Sequence, residues 1–143
     1  RSGSVQINSD TVIPGGVLWV NGNIKISNGS INGCIVATGD IEISTSRTMS
    51  SPNNYPLLIS RDGNIKVTST PTMTGLIYAR SGNVDWQGGG QLYGAIVLAG
   101  RLDKAGGSDL IVQGLNIPPS VPQTQQPQDT NSTDYVIISA WQN

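Results

Sequence analysis

Histidine and phenylalanine are absent from the 143 residues, cysteine occurs once, as Cys34, and glutamate once, as Glu42. The lack of histidine excludes a Ser-His-Asp triad and a histidine-ligated zinc site, and a single cysteine excludes an internal disulfide and a cysteine-cluster metal site. Only 12% of the residues are charged, which excludes a coiled coil or helix bundle rich in Glu, Lys, Leu and Ala. We expect a protein that is not an enzyme and holds no cofactor and no metal.

An excess of positive charge and long hydrophobic runs are also missing. Eight Lys and Arg stand against nine Asp and Glu, so the basic surface that nucleic-acid binding requires is not expected. No stretch approaches the roughly 18 apolar residues of a membrane-spanning helix. The opening Arg1-Ser2-Gly3-Ser4 has the character of a trimmed boundary. We therefore expect no membrane segment in this chain, and the sequence is compatible with an anchor upstream of it.

Glycine is abundant, with 18 residues, and it recurs in a five-residue pattern of Gly, Asn or Asp, apolar, charged, apolar. The copies are Gly22-Asn23-Ile24-Lys25-Ile26, Gly39-Asp40-Ile41-Glu42-Ile43, Gly63-Asn64-Ile65-Lys66-Val67, Gly82-Asn83-Val84-Asp85-Trp86 and a degraded Gly100-Arg101-Leu102-Asp103-Lys104. Their glycines lie 17, 24, 19 and 18 residues apart. Short strands at a near-constant period indicate the coils of a parallel β-helix, or β-solenoid, which stack to build one core.

The alternative fold is an immunoglobulin-like sandwich, which also has many short strands. A sandwich gives no reason for one motif to recur at near-constant spacing, so the sequence favours an all-β, right-handed parallel β-helix of about five rungs. We expect glycine to recur because the chain turns at the same place in every coil, often with positive φ, and Asn or Asp to bond nearby backbone. The 24-residue spacing predicts that an insertion, Thr45 to Pro56, leaves the solenoid as a loop.

Strand alternation assigns the faces of the motif. The apolar positions should point inward and the charged ones outward, so Lys25, Glu42, Lys66, Asp85 and Asp103 are expected to stack in an exposed charged row. The main interpretation of this row is an ion-pair ladder that fixes the register. The alternative is an acidic pair, Asp85 and Asp103, of the kind that pectin-cleaving β-helices use.

A second recurring strand is apolar at every position, as in Gly33-Cys34-Ile35-Val36-Ala37, Gly75-Leu76-Ile77-Tyr78-Ala79 and Gly94-Ala95-Ile96-Val97-Leu98. A strand that is apolar on both faces is normally covered on both. We therefore expect the outward residues of this sheet to contact protein. The candidate contact residues are Trp19, Val36, Ile59, Leu76, Tyr78, Val97, Tyr135, Ile137 and Trp141.

Composition divides the chain after Ile117. Residues 1–117 carry the repeat, and residues 118–134 contain four prolines among many Gln, Ser and Thr, which is typical of an extended linker. Residues 135–143 have strong strand character. We expect this C-terminal strand to return to the solenoid and to pack over its apolar sheet, with a missing helix or a partner protein as the alternative covers.

Several of these segments resemble a known family. They are Val20-Asn21-Gly22-Asn23-Ile24-Lys25-Ile26-Ser27, Gly75-Leu76-Ile77-Tyr78-Ala79 with Gly82-Asn83-Val84, Gly94-Ala95-Ile96-Val97 and the terminal Ile138-Ser139-Ala140-Trp141-Gln142. Together they resemble the C-terminal region of minor-pilin-like accessory proteins of bacterial type IV pilus assembly. The resemblance implies a β-solenoid that follows a membrane-anchored helix, with no catalytic residues. A second resemblance is to bactofilins, which are polymer-forming β-helical cytoskeletal proteins.

The sequence thus predicts a structural protein. The favoured hypothesis is a pilus-associated domain on the cell surface of a bacterium, a rigid scaffold for adhesion or for contacts with other pilins, cell-surface proteins or itself. The alternative is a self-assembling, bactofilin-like cytoskeletal or matrix subunit, which would be cytoplasmic. A small carbohydrate-active β-helix that uses Asp85 and Asp103 is the third hypothesis.

Overall fold

The apolar–charged–apolar segments of the repeat form one six-stranded parallel sheet in a computed structural model, which describes residues 1–106, 109–114 and 136–139. Each strand is three residues long and pairs with the equivalent segment of the neighbouring repeat. In spatial order the strands are β1 (Val5–Ile7), β3 (Ile24–Ile26), β5 (Ile41–Ile43), β8 (Ile65–Val67), β10 (Val84–Trp86) and β12 (Leu102–Lys104).

A second sheet is built from the longer strands that follow each short one. Its spatial order is β13 (Leu110–Gln113), β11 (Gly90–Leu98), β9 (Thr72–Ala79), β6 (Thr48–Ser50), β4 (Ile31–Ala37) and β2 (Thr11–Val20), and β7 (Leu58–Ser60) pairs with β4 and β9. These pairings are all parallel. One short strand and the long strand after it make one rung, so the expected all-β parallel solenoid is confirmed.

The solenoid has six rungs, one more than the repeat count suggested, because β1 precedes the first recognised motif. Its residues belong to Gly3-Ser4-Val5-Gln6-Ile7, in which serine takes the place of Asn or Asp. β1 pairs with β3 in the register of the other copies, with Gln6 opposite Lys25. This segment is therefore a sixth copy of the repeat that the stricter pattern excluded.

The core is a column of aliphatic side chains between the two sheets. The inward positions of the short strands are buried in every rung from β3 to β10, and Trp86, the largest buried side chain, lies among them. The long strands contribute stacked rows such as Ile35, Leu58, Ile77 and Ile96. Because each row repeats one apolar side chain at the same place, burial continues from rung to rung.

Of the five motif glycines only Gly22 has the expected positive φ, at 145°, and the other four have a different cause. Gly39, Gly63, Gly82 and Gly100 are not in the positive-φ region. At each of them a Cβ atom would collide with the same turn of the previous rung, for example with Gly63 O and Asn64 Oδ1 at Gly82. Glycine is required here because consecutive turns approach too closely for a side chain, and not because of backbone conformation.

The Asn or Asp that follows this glycine forms a ladder between the rungs. The side-chain oxygen of Asn23 accepts the N–H of Asp40 at 2.8 Å, and Asp40 accepts that of Asn64 at 2.8 Å. In the next rung the side-chain oxygen of Asn64 accepts the N–H of Asn83 at 2.8 Å. The side-chain oxygen of Asn83 in turn accepts the N–H of Arg101 at 2.9 Å. These bonds satisfy turn N–H groups that lie outside the strands, which explains why a short side-chain acceptor recurs at this position.

The expected insertion is only partly a loop. Thr48–Ser50 lies inside the predicted loop, but it is strand β6 and pairs with β4 and β9, with Met49 fully buried. The chain leaves the sheet only between Ser50, which is opposite Asn32, and Leu58, which is opposite Ile35. The prediction of a loop over Thr45 to Pro56 was therefore wrong at its first half.

The C-terminal strand returns to the solenoid, as expected, but not to the face of the sheet. β14 (Val136–Ser139) pairs antiparallel with Ala95–Leu98 at the edge of β11, next to β13, which pairs with Gly90–Tyr93. It therefore extends the plane of the long sheet and does not cover the outward row. The linker, 118–134, and the predicted contact residues Tyr135 and Trp141 lie outside the described residues.

Candidate contact surface

The predicted contact residues of the long sheet form one outward row. The registers place Trp19 opposite Val36, Val36 opposite Ile59, Ile59 opposite Tyr78, and Tyr78 opposite Val97. The backbone of Ile137 continues this alignment opposite Val97. Leu76, two residues before Tyr78 on β9, lies opposite Ala95 in the adjacent outward row. The sequence pattern thus brings together the residues that it selected on β2, β4, β7, β9 and β11.

Solvent exposure along this row is highest at Trp19 and lowest at its neighbour Val36. Trp19 is 51% exposed, Ile59, Tyr78 and Val97 are half-buried, and Val36 is only 8% exposed. Cys34, two residues before Val36, is also buried, and burial raises the pKa of its thiol. Neither residue belongs to the interior cluster that contains Ile35 and Ala37. Both therefore face outward, as strand alternation requires, and something on the outside of the sheet covers them.

The cover is a segment of the same chain, which we name the strap (Ser51–Leu57). Its ends lie in rung 3, but a Cβ atom at Gly16 in rung 1 would lie 3.2 Å from Tyr55 Cε2 and 3.7 Å from Pro52 Cγ. Strand β4 lies between these rungs in the sheet. The strap must therefore cross β4 at the level of Cys34, since it leaves the sheet between the partners of Asn32 and Ile35.

A bulge in β2 receives the strap. The pairing of β2 with β4 shifts between Val12 and Val17, and Gly15 and Gly16 within this interval have φ of 73° and 80°. Glycine adopts this left-handed conformation without the steric cost that other residues have. The bulge that the two glycines form bends the strand. The absence of a side chain at Gly16 also leaves room for the Tyr55 ring.

Exposed large hydrophobic side chains concentrate at this end of the solenoid. In the described part of the chain the most exposed are Val12 (75%), Trp19 (51%), Ile111 (45%), Val17 (43%) and Tyr55 (41%). Four of these lie on β2 or on the strap that reaches it, and we call the four, Val12, Val17, Trp19 and Tyr55, the apolar patch. Ile111, on β13, is at the opposite end.

A cavity of about 280 Å³ lies at the end of the solenoid beside the apolar patch, lined by residues that include Val5, Ile13 and Leu18. Leu18 belongs to the inward row of Ile35 but is only half-buried. Beyond β2 at this end, Ser2 pairs in parallel with Asn21.

The charged row of the short sheet has the expected register, with Lys25 opposite Glu42, Glu42 opposite Lys66 and Asp85 opposite Asp103. Lys25 Nζ lies 2.9 Å from Glu42 Oε1. The hydrogen bond from Lys25 is the main cause that lowers the pKa of Glu42, and the charge of Lys66 acts in the same direction. The ladder interpretation therefore holds at this part of the row.

Asp85 and Asp103, the residues of the carbohydrate-cleaving hypothesis, are neighbours on the same exposed face. Each has another partner: Asp85 accepts a hydrogen bond from Gln87 at 3.1 Å, and Asp103 lies 3.4 Å from Arg101 Nη2. Within the described ranges, no three metal-ligating side chains converge. Both carboxylates thus bond to neighbouring side chains on an exposed face of the short sheet.

Sequence reasoning missed Val12, Val17 and Tyr55 as surface residues. The signal was present in Pro14-Gly15-Gly16, where proline and two glycines interrupt a strand, and in the Asn53-Asn54-Tyr55 turn of the insertion. The bulge of β2 and the turn of the insertion are in contact because the register of the rungs places both beside Gly33 of β4. A local pattern does not contain that information.

The fold is a β-solenoid with exposed apolar side chains concentrated at one end. The chain belongs to the family described as a domain of unknown function (DUF7305), whose profile matches residues 2–109, about three quarters of the chain. No curated protein and no solved structure matches it. No helix among the described residues has the length and hydropathy to cross a membrane.

Proposed function

We propose that this domain is a non-enzymatic scaffold that presents the apolar patch to a protein partner. The supporting observation is the segregation of exposed hydrophobic side chains to β2 and the strap, with Trp19 and Tyr55 among them. Tryptophan and tyrosine are enriched among the residues that contribute most to binding free energy at protein interfaces. Elsewhere the outward positions of the short sheet are charged or polar.

The rigidity of the fold supports this role. The long sheet holds Val17 and Trp19 on one strand, two residues apart, so both project from the same face. A surface that is fixed before binding loses little conformational entropy when a partner docks. The patch lies at the end of the solenoid, where a partner reaches it without contacting the remaining rungs.

The resemblance to minor-pilin-like proteins extends the proposal to a biological setting. In that setting the domain is displayed on a bacterial cell surface and binds other pilins or cell-surface proteins. The bactofilin-like alternative requires copies to stack through both coil ends. The antiparallel strand β14 occupies half of the last long edge, which disfavours such stacking.

The test is binding of the purified domain to pili and cell envelopes from the bacterium that produces it. We expect Trp19→Ser to weaken binding at least 30-fold, corresponding to the loss of about 2 kcal/mol for an interface tryptophan. Ile111→Ser is the matched control, because Ile111 is similarly exposed at the opposite end of the solenoid. Equal binding by parent and Trp19→Ser, or equal loss in both variants, would refute the assignment of the patch.

A further inference from the structure

We propose that the strap is a cover that opens while the solenoid stays folded, and that its opening exposes Cys34 and Val36 beside the patch residues of β2. This inference rests on the proposed function, because it assigns a regulation to the same contact surface. Val36 is only 8% exposed between Trp19 and Ile59 in the outward row, and the strap crosses β4 two residues before it. With the strap open, the row is a continuous apolar stripe from rung 1 to rung 5.

The ends of the strap are fixed in the fold. Ser50 precedes it in β6, where it pairs with both Asn32 and Thr74. Leu57 closes it and is fully buried; its N–H donates to Leu76 O at 2.8 Å and its carbonyl accepts from Ile35 N–H at 2.9 Å. Movement of the intervening residues therefore does not require either flanking strand to leave the sheet.

The closed conformation of the strap is held by few favourable interactions. Asn53 and Asn54 both adopt left-handed φ angles, of 56° and 59°, a conformation that asparagine tolerates better than other non-glycine residues but that carries some backbone cost. The hydroxyl of Ser51 is buried without a hydrogen-bond partner among the described residues. The hydrogen bond from Tyr55 N–H to Pro52 O, of 3.1 Å, lies within the strap and does not attach it to the sheet.

The attachment to rung 1 is the contact of Tyr55 and Pro52 with Gly16. The Tyr55 ring is partly exposed, and Asn53 and Asn54 at the tip are exposed. Segments with few buried contacts, anchored on a well-paired frame, are those that open locally below the free energy of global unfolding. The strap has these properties, while the strands at its two ends, β6 and β7, each pair with both β4 and β9.

The chain carries its own reporter of this motion. Cys34 is the only cysteine in the sequence, and it lies buried beneath the strap. The rate at which a thiol reagent labels the native protein therefore measures access to one atom. If the strap opens alone, labelling in the parent is faster than global unfolding allows and depends weakly on low denaturant concentrations.

Two substitutions should change this rate in opposite directions. Tyr55→Ala removes the contact with Gly16, and we expect at least tenfold faster labelling, whereas Tyr55→Phe keeps the ring and should label like the parent. Ser51→Ala removes the unpartnered hydroxyl, stabilises the closed strap and should slow labelling several-fold. Ile96→Val, a core substitution in rung 5 far from the strap, is the control for global destabilisation.

The proposal is overturned if neither strap variant changes the labelling rate, or if Ile96→Val accelerates it as much as Tyr55→Ala. It is also overturned if parent labelling follows global unfolding at every denaturant concentration. Opposite shifts in Tyr55→Ala and Ser51→Ala support it. If those shifts occur while Trp19→Ser leaves partner binding unchanged, the strap opens as proposed and the function assigned to the patch is wrong, so the two failures remain distinct.

Discussion

Gly82→Ala tests whether close approach of the rungs, and not backbone conformation, requires the repeated glycine. A Cβ atom at this position would meet Gly63 O and would lie only 2.7 Å from Asn64 Oδ1. The shortest usual approach of carbon to oxygen is about 3.3 Å, so the turn would have to move by about 1 Å. That shift strains the hydrogen bonds from Asn83 N–H to Asn64 Oδ1 and from Gly100 N–H to Gly82 O, which measure 2.8 and 3.2 Å.

The expected loss in the free energy of unfolding is about 2–4 kcal/mol, the sum of an overpacking term of about 1–3 kcal/mol and about 1 kcal/mol for weakened hydrogen bonds. Urea denaturation followed by circular dichroism measures it. Ser81→Ala, at the exposed neighbouring residue, should change stability by less than about 0.5 kcal/mol. Where nothing opposes a side chain, replacing glycine by alanine stabilises by about 0.4–1 kcal/mol. An unchanged or stabilised Gly82→Ala would therefore refute the reasoning.

Three further substitutions test the ladders and the core. Asn64→Ala removes the acceptor of the Asn83 N–H and should lower the free energy of unfolding in urea by about 1 kcal/mol. The folded-state pKa of Glu42 is depressed, so the stability from its ion pair is complete above about pH 4.3 and is lost as pH falls through the folded-state value. Between about pH 5 and pH 3 the free energy of unfolding of Glu42→Gln should therefore fall by up to about 1 kcal/mol less than that of the parent. An equal fall in both proteins would contradict a stabilising Lys25–Glu42 ion pair. Trp86→Phe leaves the Gly89 carbonyl without its buried donor, now at 2.8 Å, and should lower the thermal midpoint through a loss of about 1–3 kcal/mol.

The rungs were predictable from sequence because every coil repeats the same local requirement. A turn glycine, a short polar acceptor and an apolar–charged–apolar strand recur in each unit, so the inward and outward faces follow from alternation alone. The alignment of Trp19, Val36, Ile59, Tyr78 and Val97 followed from this periodicity as well.

The features that sequence reasoning missed depend on contacts between rungs. The crossing of the strap over β4 requires the register of three rungs at once, because Tyr55 in rung 3 contacts Gly16 in rung 1. Similarly, the pattern in the C-terminal strand indicates a strand but does not distinguish docking on a face from pairing at an edge. Edge pairing satisfies backbone groups of Ala95–Leu98 that β13 leaves unpaired.

Self-association separates a displayed contact domain from a polymer-forming subunit. β13 and β14 together occupy the outer edge of β11, and β14 does so antiparallel to the register that a stacked copy would need. At the other end, Pro14 and the bulge interrupt the edge of β2. Prolines and bulges of this kind hinder the pairing of an edge strand with another chain. The β11 edge is therefore poorly suited to rung addition, and so is the part of the β2 edge that the bulge interrupts.

Static light scattering of the purified chain over a wide concentration range tests this conclusion most directly. A self-contained solenoid that presents the apolar patch to a different protein should keep a mass of 15.0 kDa at every concentration. A mass that grows steadily with concentration would contradict it and would favour the self-assembling subunit.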